Sequence, residues 1–432
     1  MPEPLPPSRL RIALRSLKHR NYRLFYGGQA ISLIGTWMQN VAQSWLVYEL
    51  TKSSLLLGLV GFAGQIPVFL LAPLGGTVAD RWKRHRIIIA TQASMMVLAF
   101  ILAGLTLAGA VHVWHIMLLA ALLGGANAFD IPARQAFVVE MVGKAEMTNA
   151  IALNSSLFNG ARIVGPAIAG VLVGAIGEGW CFLANAVSYI AVIIGLLMMR
   201  VAERPPVPQP ESAIAHIVEG FRYVARTRPI RALLVQLGIV SLVGMPYAVL
   251  MPIFAAQILH SGPRGLGTLM GATGVGALLG ALTLAMRQGV RGLGRWIAYS
   301  TASFGIGLIV FALSRWFWLS VLLLVPVGFA FIVQMAASNT LIQSMVPDEL
   351  RGRVMSVYSM MFMGMAPLGA LSAGALASHL GAPLTVILGG VVCIACGVVF
   401  RLSLPALRPM LRELILAQQV AGGDPASGAP LG

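Results

Sequence analysis

The chain has 432 residues, of which 58% are hydrophobic and only 10% are charged. An ordinary soluble domain is about half apolar and about a quarter charged, so this composition excludes a water-soluble fold. The formal net charge of +16 does not indicate nucleic-acid binding, because Lys and Arg occur in short groups between apolar runs. We therefore expect a protein that folds in lipid.

The apolar runs are too long and too uniform for barrel strands, whose side chains alternate, so we predict helices. A helix needs roughly 20 apolar residues to cross a bilayer, and the length allows about twelve crossings. The predicted spans are 22–48, 54–78, 87–109, 113–137, 149–176, 180–200, 232–258, 265–286, 296–313, 316–343, 355–380 and 382–404. The fold class is an all-α membrane protein.

The orientation follows from the cations between the spans. With the N-terminus in the cytoplasm, 26 of the 30 Lys and Arg residues fall on the cytoplasmic side. Cytoplasmic loops carry an excess of these residues in multi-pass proteins. We therefore predict a plasma or inner membrane protein with both termini in the cytoplasm.

The sequence divides near its middle. Residues 201–212 are Pro-rich and polar, as in a linker. The next residues place apolar side chains at helical spacing, which predicts either an amphipathic helix on the cytoplasmic face or a plain helical linker. Those apolar residues are Ile214, Ile217, Val218, Phe221 and Val224. The predicted organisation is 1–21 cytoplasmic segment, 22–200 first six-helix half, 201–231 central loop, 232–404 second half and 405–432 cytoplasmic tail.

The two halves resemble each other at an offset of 204 positions. Four glycines in and after the fifth predicted span meet four glycines of the second half at this offset. They are Gly160, Gly165, Gly170 and Gly177, which meet Gly364, Gly369, Gly374 and Gly381. Two duplicated halves are a common transporter plan, with the substrate site near mid-membrane.

A charged motif follows the second predicted span. It contains Gly76, Asp80, Arg81 and Arg84, and Asp80 and Arg84 share a helix face if the turn is helical. An acidic residue is not needed to orient a loop, which favours a structural gate over simple topogenic charge. The segment resembles the cytoplasmic signature of the major facilitator superfamily, although Lys83 displaces the usual glycine. The resemblance implies a loop that latches the two halves.

A second motif lies in the fifth predicted span. Its small residues predict tight packing, and its proline predicts a kink. The motif residues are Gly160, Gly165, Pro166 and Gly170. The motif is similar to the glycine–proline motif of drug–proton antiporters, with Ala169 in place of one glycine. That resemblance implies export rather than uptake, while a generic packed kink is the other interpretation.

Two ionisable residues stand inside or near the membrane. Arg162 lies about fifteen residues into its span, where a cation is costly unless it is paired or faces water. It is predicted either to line the cavity or to form a buried structural pair, with Asp130 or a helix end as its partner. Asp130 is predicted to join the Asp80–Arg84 cluster, and the alternative is a proton-coupling site.

Further polar residues are candidates for the substrate cavity, although amides at mid-membrane equally bond neighbouring helices. They are Gln39, Asn40, Gln43, Asn154, Asn159, Gln236, Gln334 and Asn339. No phosphate-binding loop, HExxH, Cys/His cluster or set of nucleophile and base is present, so we expect no enzyme, metal or cofactor.

Additional segments, such as Pro132 to Ala136 and Val346 to Ser356, resemble the superfamily branch that includes the enterobactin exporter and related efflux proteins. The resemblance implies alternating-access export of drug-like or siderophore-like molecules by proton antiport. The arginine of many proton antiporters is replaced by Ala120, which weakens the support for protons. Expected partners are a small-molecule substrate, membrane lipids and protons, without nucleic acid, and the expected state is a monomer. An uptake permease and a lipid flippase or non-transporting protein remain as alternatives.

Overall fold

The computed structural model describes residues 14–201, 213–287 and 289–421, and within these ranges the regular structure is helical. The helices are α1 (Arg20–Thr51), α2 (Ser54–Arg81), α3 (Arg84–Leu107), α4 (Val113–Val142), α5 (Met147–Ile176), α6 (Glu178–Leu197), α7 (Ala213–Arg226), α8 (Arg228–Ile258), α9 (Gly262–Ala285), α10 (Leu293–Leu313), α11 (Phe317–Met345), α12 (Asp348–Leu380) and α13 (Ala382–Ala421). The prediction of an all-helical membrane protein is confirmed.

Among the described helices, eleven are long and apolar enough to cross a membrane. They are α2 to α6 and α8 to α13. Helix α1 has 32 residues and is long enough, but it carries more polar side chains, including Gln29 and Gln39. With α1, the described part of the chain contains twelve long helices, the number that the apolar runs predict. In lipid each backbone polar group must be paired within the protein, which is why every apolar run forms a helix.

Two helices differ from the simple pattern of the apolar runs. Helix α8 contains two π-helical turns, Val240–Gly244 and Phe254–Ile258, on either side of a short α-helical stretch. Helix α13 does not end with its apolar run but continues to Ala421 through Pro405 and Pro409. The described part of the predicted cytoplasmic tail is therefore helical.

The predicted amphipathic segment forms helix α7. The side chains of Ile214 and Ile217 lie outside the described residues, as do most of the Pro-rich linker and the first thirteen residues. Val224 is buried, whereas Val218 and Phe221 are exposed. The helix therefore has a packed side and an open side.

The chain forms two compact units. The first comprises Met1–Gln209 with Ala255–Gly271, and the second comprises Pro210–Phe254 with Ala272–Gly432. Ala255–Gly271 joins the first unit because α9 begins against α5: a Cβ on Gly267 would overlap the Pro166 carbonyl oxygen. One apolar core of the first unit is built around Tyr22 and Phe137. A core of the second unit includes Leu233 and Leu341.

The internal repeat is visible in how helices end. Helix α5 ends at Gly177 with φ +91°, and α12 ends at Gly381 with φ +81°. These two glycines stand 204 positions apart. Side chains rarely adopt this left-handed region, so glycine is favoured at both stops. The two helices therefore end by the same device.

Candidate functional site

The charged motif after α2 forms a cluster around Arg84, the first residue of α3. The Arg84 guanidinium lies 2.8 Å from a Glu140 carboxylate oxygen and 3.3 Å from an Asp80 carboxylate oxygen. Its Nε also donates to the Ala79 carbonyl oxygen at 3.1 Å. We call Asp80, Arg84 and Glu140 the Arg84 cluster. One cation thus joins the end of α2, the start of α3 and the last turns of α4.

The prediction that Asp130 completes this cluster is wrong. Glu140 occupies that position, ten residues further along α4 and about 15 Å closer to its end. The signal was present in the sequence, because Glu140 lies two residues before the helix ends, at the depth of the loop. Arg81 is exposed, so it faces away from the packed side of the motif.

Asp130 lies instead in a buried polar group, which we call the Asp130 group. Its carboxylate accepts a hydrogen bond from the Thr91 hydroxyl at 2.8 Å and from the Gln92 amide at 3.1 Å, and it forms an ion pair with Arg134. Arg134 also donates to the Gln29 amide oxygen at 2.9 Å. Asp130 is 0% exposed, and a charge at such depth persists only with partners of this kind. The group joins α1, α3 and α4.

The motif glycines differ in what they contact. A Cβ on Gly75 would overlap the Ala128 carbonyl oxygen of α4, whereas a Cβ on Gly76 would meet open space. The close approach of α2 to α4 therefore depends on Gly75, although the superfamily signature places its glycine at Gly76. The two positions lie 100° apart on the helix, which explains the difference.

The glycines of the α5 motif divide in the same way. A Cβ on Gly165 would overlap the Trp37 Cβ of α1, and one on Gly170 would lie 3.1 Å from the Pro263 and Arg264 carbonyl oxygens. Gly160 has open space around it. Pro166 is buried beside Gly165. The predicted packed face is therefore present around Gly165 and Gly170.

Arg162 lies one turn before Pro166 and is half-buried. Its guanidinium carbon stands 5.7 Å from the ring centroid of Trp37, a cation–π contact. The ring of Trp37 also meets Phe158 edge to face, with 5.6 Å between centroids. The side-chain partners of Asp130 are Thr91, Gln92 and Arg134. The suggested pair of Asp130 with Arg162 is therefore wrong. Arg162 belongs to an aromatic group with Trp37 and Phe158.

Several predicted cavity amides bond other parts of the protein. Gln39 is buried and accepts from Asn185 of α6 at 2.6 Å, and Gln236 donates to Thr301 of α10 at 2.6 Å. Asn154 accepts from the Tyr22 hydroxyl at 3.0 Å. These amides connect neighbouring helices, which was the alternative to substrate contact.

The other amides are placed differently. Asn159 donates to the Ser155 carbonyl oxygen of its own helix at 2.8 Å, and Asn339 accepts from Gln343. Asn40 is exposed and Gln43 is half-buried. Gln334 is buried, and neither of its amide atoms has a hydrogen-bond partner among the described residues. Asn40 and Gln43 are thus the amides of α1 that remain open to a ligand.

A second ionic cluster was not predicted. Glu146, in the short turn Lys144–Glu146, pairs with Lys18, with Arg15 at 3.3 Å and with His19 at 3.1 Å. The hydrogen bond from Lys18 is the main reason that the pKa of Glu146 lies below its ordinary value of 4.5. Sequence reasoning missed this contact because the partners are about 130 residues apart. The cluster attaches the N-terminal turn Arg15–Lys18 to the loop before α5.

Two carboxyl groups also meet. The carboxyl groups of Glu49, near the end of α1, and Glu178, at the start of α6, lie close enough to repel each other. Within the described part of the chain, no group of three or more His, Cys, Asp and Glu residues could hold a metal ion.

Comparison with known proteins gives the family. Residues 12–414 match the family model described as transmembrane secretion effector. The chain is 26% identical over 397 residues to the staphyloferrin A transporter of Staphylococcus aureus, covering 90% of this chain and 98% of the relative. It is 28% identical over 395 residues to the multidrug efflux pump Tap of Mycolicibacterium fortuitum, covering 89% and 95%.

Solved structures share the fold. The nucleoside transporter NupG superposes with a TM-score of 0.68 at 15% identity, covering 89% of this chain and 98% of that one. A bacterial homologue of the iron transporter ferroportin gives 0.65 at 17% identity, covering 88% and 98%. The fold, the family match over residues 12–414 and the long apolar helices agree with one another. The chain therefore belongs to the transmembrane secretion effector family of the major facilitator superfamily, and it is a multi-pass membrane transporter, not an enzyme.

Proposed function

We propose that this transporter exports small amphipathic molecules from the cytoplasm by alternating access in exchange for protons. The observation that carries export is the pair of relatives named as efflux proteins, Tap and the macrolide efflux protein A of Streptococcus pyogenes, which is 23% identical over 392 residues. The packed glycine face of α5 supports the same direction. The cytoplasmic placement of both termini in a plasma or inner membrane rests on the distribution of cations.

The Arg84 cluster supports a gate. Its three charged side chains are 23% to 44% exposed, so water screens them and each ion pair is weak. Weak contacts that join three helices can break and reform during a transport cycle at small cost in free energy. We propose that this cluster holds the cytoplasmic ends of α2, α3 and α4 in one of the transport states, and that Gly76 and Arg81, which face away from the packed side, belong to the same gate. The Asp130 group, being buried, keeps its contacts in both states.

The aromatic group around Arg162 supports a place for substrate. A half-buried guanidinium stacked on an indole suits a flat molecule with an acidic group. Asn40, Gln43 and Asn159 supply additional polar contacts. We propose that the substrate is a small amphipathic molecule and that the transporter acts as a monomer among membrane lipids.

The carboxyl pair of Glu49 and Glu178 supports a proton as the coupling ion. Two carboxylates repel each other, so we propose that proton uptake by this pair accompanies a movement of α1 against α6. The replacement of Glu178 by Gln keeps the size of the side chain but removes one ionisable group. We expect this variant to lose the dependence of transport on the proton gradient.

Efflux from cells tests the proposal. Cells that lack endogenous pumps and express the full chain are loaded with a fluorescent amphipathic dye, and dye loss is followed with and without an uncoupler. Export predicts dye loss faster than in vector controls, and proton exchange predicts that the uncoupler abolishes this difference. Retention equal to the vector control contradicts export, and accumulation of external dye indicates uptake. Export that persists with uncoupler removes the proton from the proposal.

A further inference from the structure

One side of helix α7 packs against α12 within the second unit. A Cβ on Gly220 would lie 2.6 Å from the Arg353 carbonyl oxygen of α12, so the two backbones are in direct contact. The Glu219 carboxylate forms an ion pair with the Arg353 guanidinium at 2.6 Å. Val224, on the same side of the helix, is 7% exposed. These contacts fix which side of α7 faces outward.

The outward side combines apolar and cationic groups. Val218 is 51% exposed and Phe221 is 38% exposed, and Ala225 lies one turn beyond Phe221. Arg222 and Arg226 are exposed along one border of this apolar strip. Residues at this spacing share one face of a helix, so the five side chains form one surface. We call Val218, Phe221, Arg222, Ala225 and Arg226 the α7 outer face.

The position of α7 next to a membrane-spanning helix indicates that the membrane surface covers this face. Helix α8, which is apolar enough to cross a membrane, begins at Arg228, two residues after α7 ends. The C-terminal end of α7, which carries Arg226, therefore lies close to the start of a helix that enters the bilayer, and we infer that the α7 outer face meets the membrane surface. Guanidinium groups beside an exposed apolar strip suit lipid phosphates above and acyl chains below.

We propose that the α7 outer face binds anionic phospholipid headgroups. Arg222 and Arg226 contact the phosphates, and Phe221 and Val218 lie against the first carbons of the acyl chains. The anchoring contacts on α12 transmit the position of the membrane surface to that helix. Lipid composition thereby acts on the second unit of the transporter.

Lipid binding is measured on the purified full-length protein in a neutral detergent. Phosphatidylglycerol or phosphatidylcholine is titrated in, and binding is followed by native mass spectrometry and by the unfolding temperature. We expect phosphatidylglycerol to bind and to raise the unfolding temperature more than phosphatidylcholine does. The variant R222Q/R226Q should weaken phosphatidylglycerol binding at least about tenfold, since each arginine near an anionic surface contributes several-fold.

The matched control is R408Q/R412Q, which makes the same charge change on the exposed end of α13. An equal loss of binding in both variants overturns the proposal, because the effect is then one of total charge. Soluble glycerol phosphate is the second control. If it raises the unfolding temperature as much as phosphatidylglycerol does, the proposed contact of Phe221 and Val218 with acyl chains is wrong. Phe221→Ser, which keeps both arginines, should weaken lipid binding and leave any effect of glycerol phosphate unchanged. Each readout is independent of transport, so failure of the export proposal leaves this test intact.

Discussion

The Arg84 guanidinium contacts the Glu140 carboxylate at 2.8 Å, although the two residues are 56 positions apart. Arg84 opens α3, and Glu140 lies in the last turns of α4, so this contact fixes the two helix ends at the same depth. Asp80 completes the arrangement from α2. The pair is the central contact of a cluster that the sequence motif describes only in part.

Replacing Glu140 with Gln tests the role of this cluster. A partly exposed ion pair contributes about 1 kcal/mol or less, which corresponds to a shift of at most about fivefold between two states. We expect dye efflux to slow by about two- to fivefold while the unfolding temperature in detergent hardly changes. The control is Asp348→Asn, which removes an 84% exposed carboxylate paired with Arg351 on one helix. Efflux that is equally slow in the control, or unchanged by Glu140→Gln, contradicts a gating role.

Much of the fold was predictable because long, uniformly apolar runs can pair all their backbone polar groups in lipid only by forming helices. Each apolar run had to form a helix, and most runs gave the helix bounds within about five residues, although α12 begins at Asp348 and its predicted run at 355. The ends of α5 and α12 were marked by glycines at the 204-residue offset. The continuation of α13 to Ala421 was not predictable from hydropathy, because the added residues are amphipathic.

The site was less predictable because a sequence gives depth in the membrane but not the direction of a side chain. Asp130 and Glu140 are both on α4, yet they point to different neighbours and join different clusters. Gly75 and Gly76 are adjacent, and only Gly75 meets another backbone. The partners of Gln39 and Gln236 depend on helices far away in the chain. These contacts can be identified only when the packing of the helices is known.

Replacing Asp130 with Asn tests the buried ion pair. Removing one partner of a buried pair costs about 3–5 kcal/mol, and we expect a value near the lower end because the Arg134 side chain is 25% exposed. We expect a large fall in resistance to denaturant in detergent. Thr91→Val removes one hydrogen bond to Asp130 and should cost about 1–2 kcal/mol. Thr106→Val is the control, since that hydroxyl bonds only the Leu102 carbonyl oxygen of its own helix in the described structure. Unchanged stability of Asp130→Asn means that Arg134 does not depend on this carboxylate.

Gly165 and Gly160 provide a comparison within one helix. Gly165→Val places a side chain against Trp37 and the Ile34 carbonyl oxygen, and overpacking of this kind costs about 1–3 kcal/mol. Gly160→Val has the same helix propensity change but enters open space. We expect a lower unfolding temperature for the first variant and little change for the second. Equal effects contradict the packed face, and the comparison is made by thermal unfolding in one detergent.

Glu146 predicts a dependence on pH at the N-terminal turn. Its pKa in the folded protein lies below 4.5 because Lys18 donates to the carboxylate. A lowered pKa contributes stability at neutral pH that is lost as the pH falls below about 4.5 and through the folded value. We expect the protection of the Arg15–Lys18 amides against hydrogen exchange, measured relative to the unprotected rate at the same pH, to fall over that interval. Glu146→Gln should exchange rapidly at every pH, and a wild-type protein whose turn exchanges at a constant protected level down to pH 3 contradicts the prediction.

Arg162 tests the proposed substrate contact. A cation this far into a span is costly unless it is compensated, and the Trp37 ring is one compensating group. If Arg162 also meets an acidic group of the substrate, Arg162→Ala should lower transport of anionic dyes about tenfold, which corresponds to one charged hydrogen bond, and affect cationic dyes less. Arg162→Lys keeps the positive charge. Its KM for anionic dyes should therefore be lower than that of Arg162→Ala, which recovers part of the lost transport. Arg315→Ala, an exposed arginine between α10 and α11, is the control. Equal losses for anionic and cationic dyes assign Arg162 to contacts within the protein, because only a substrate contact distinguishes the charge of the dye.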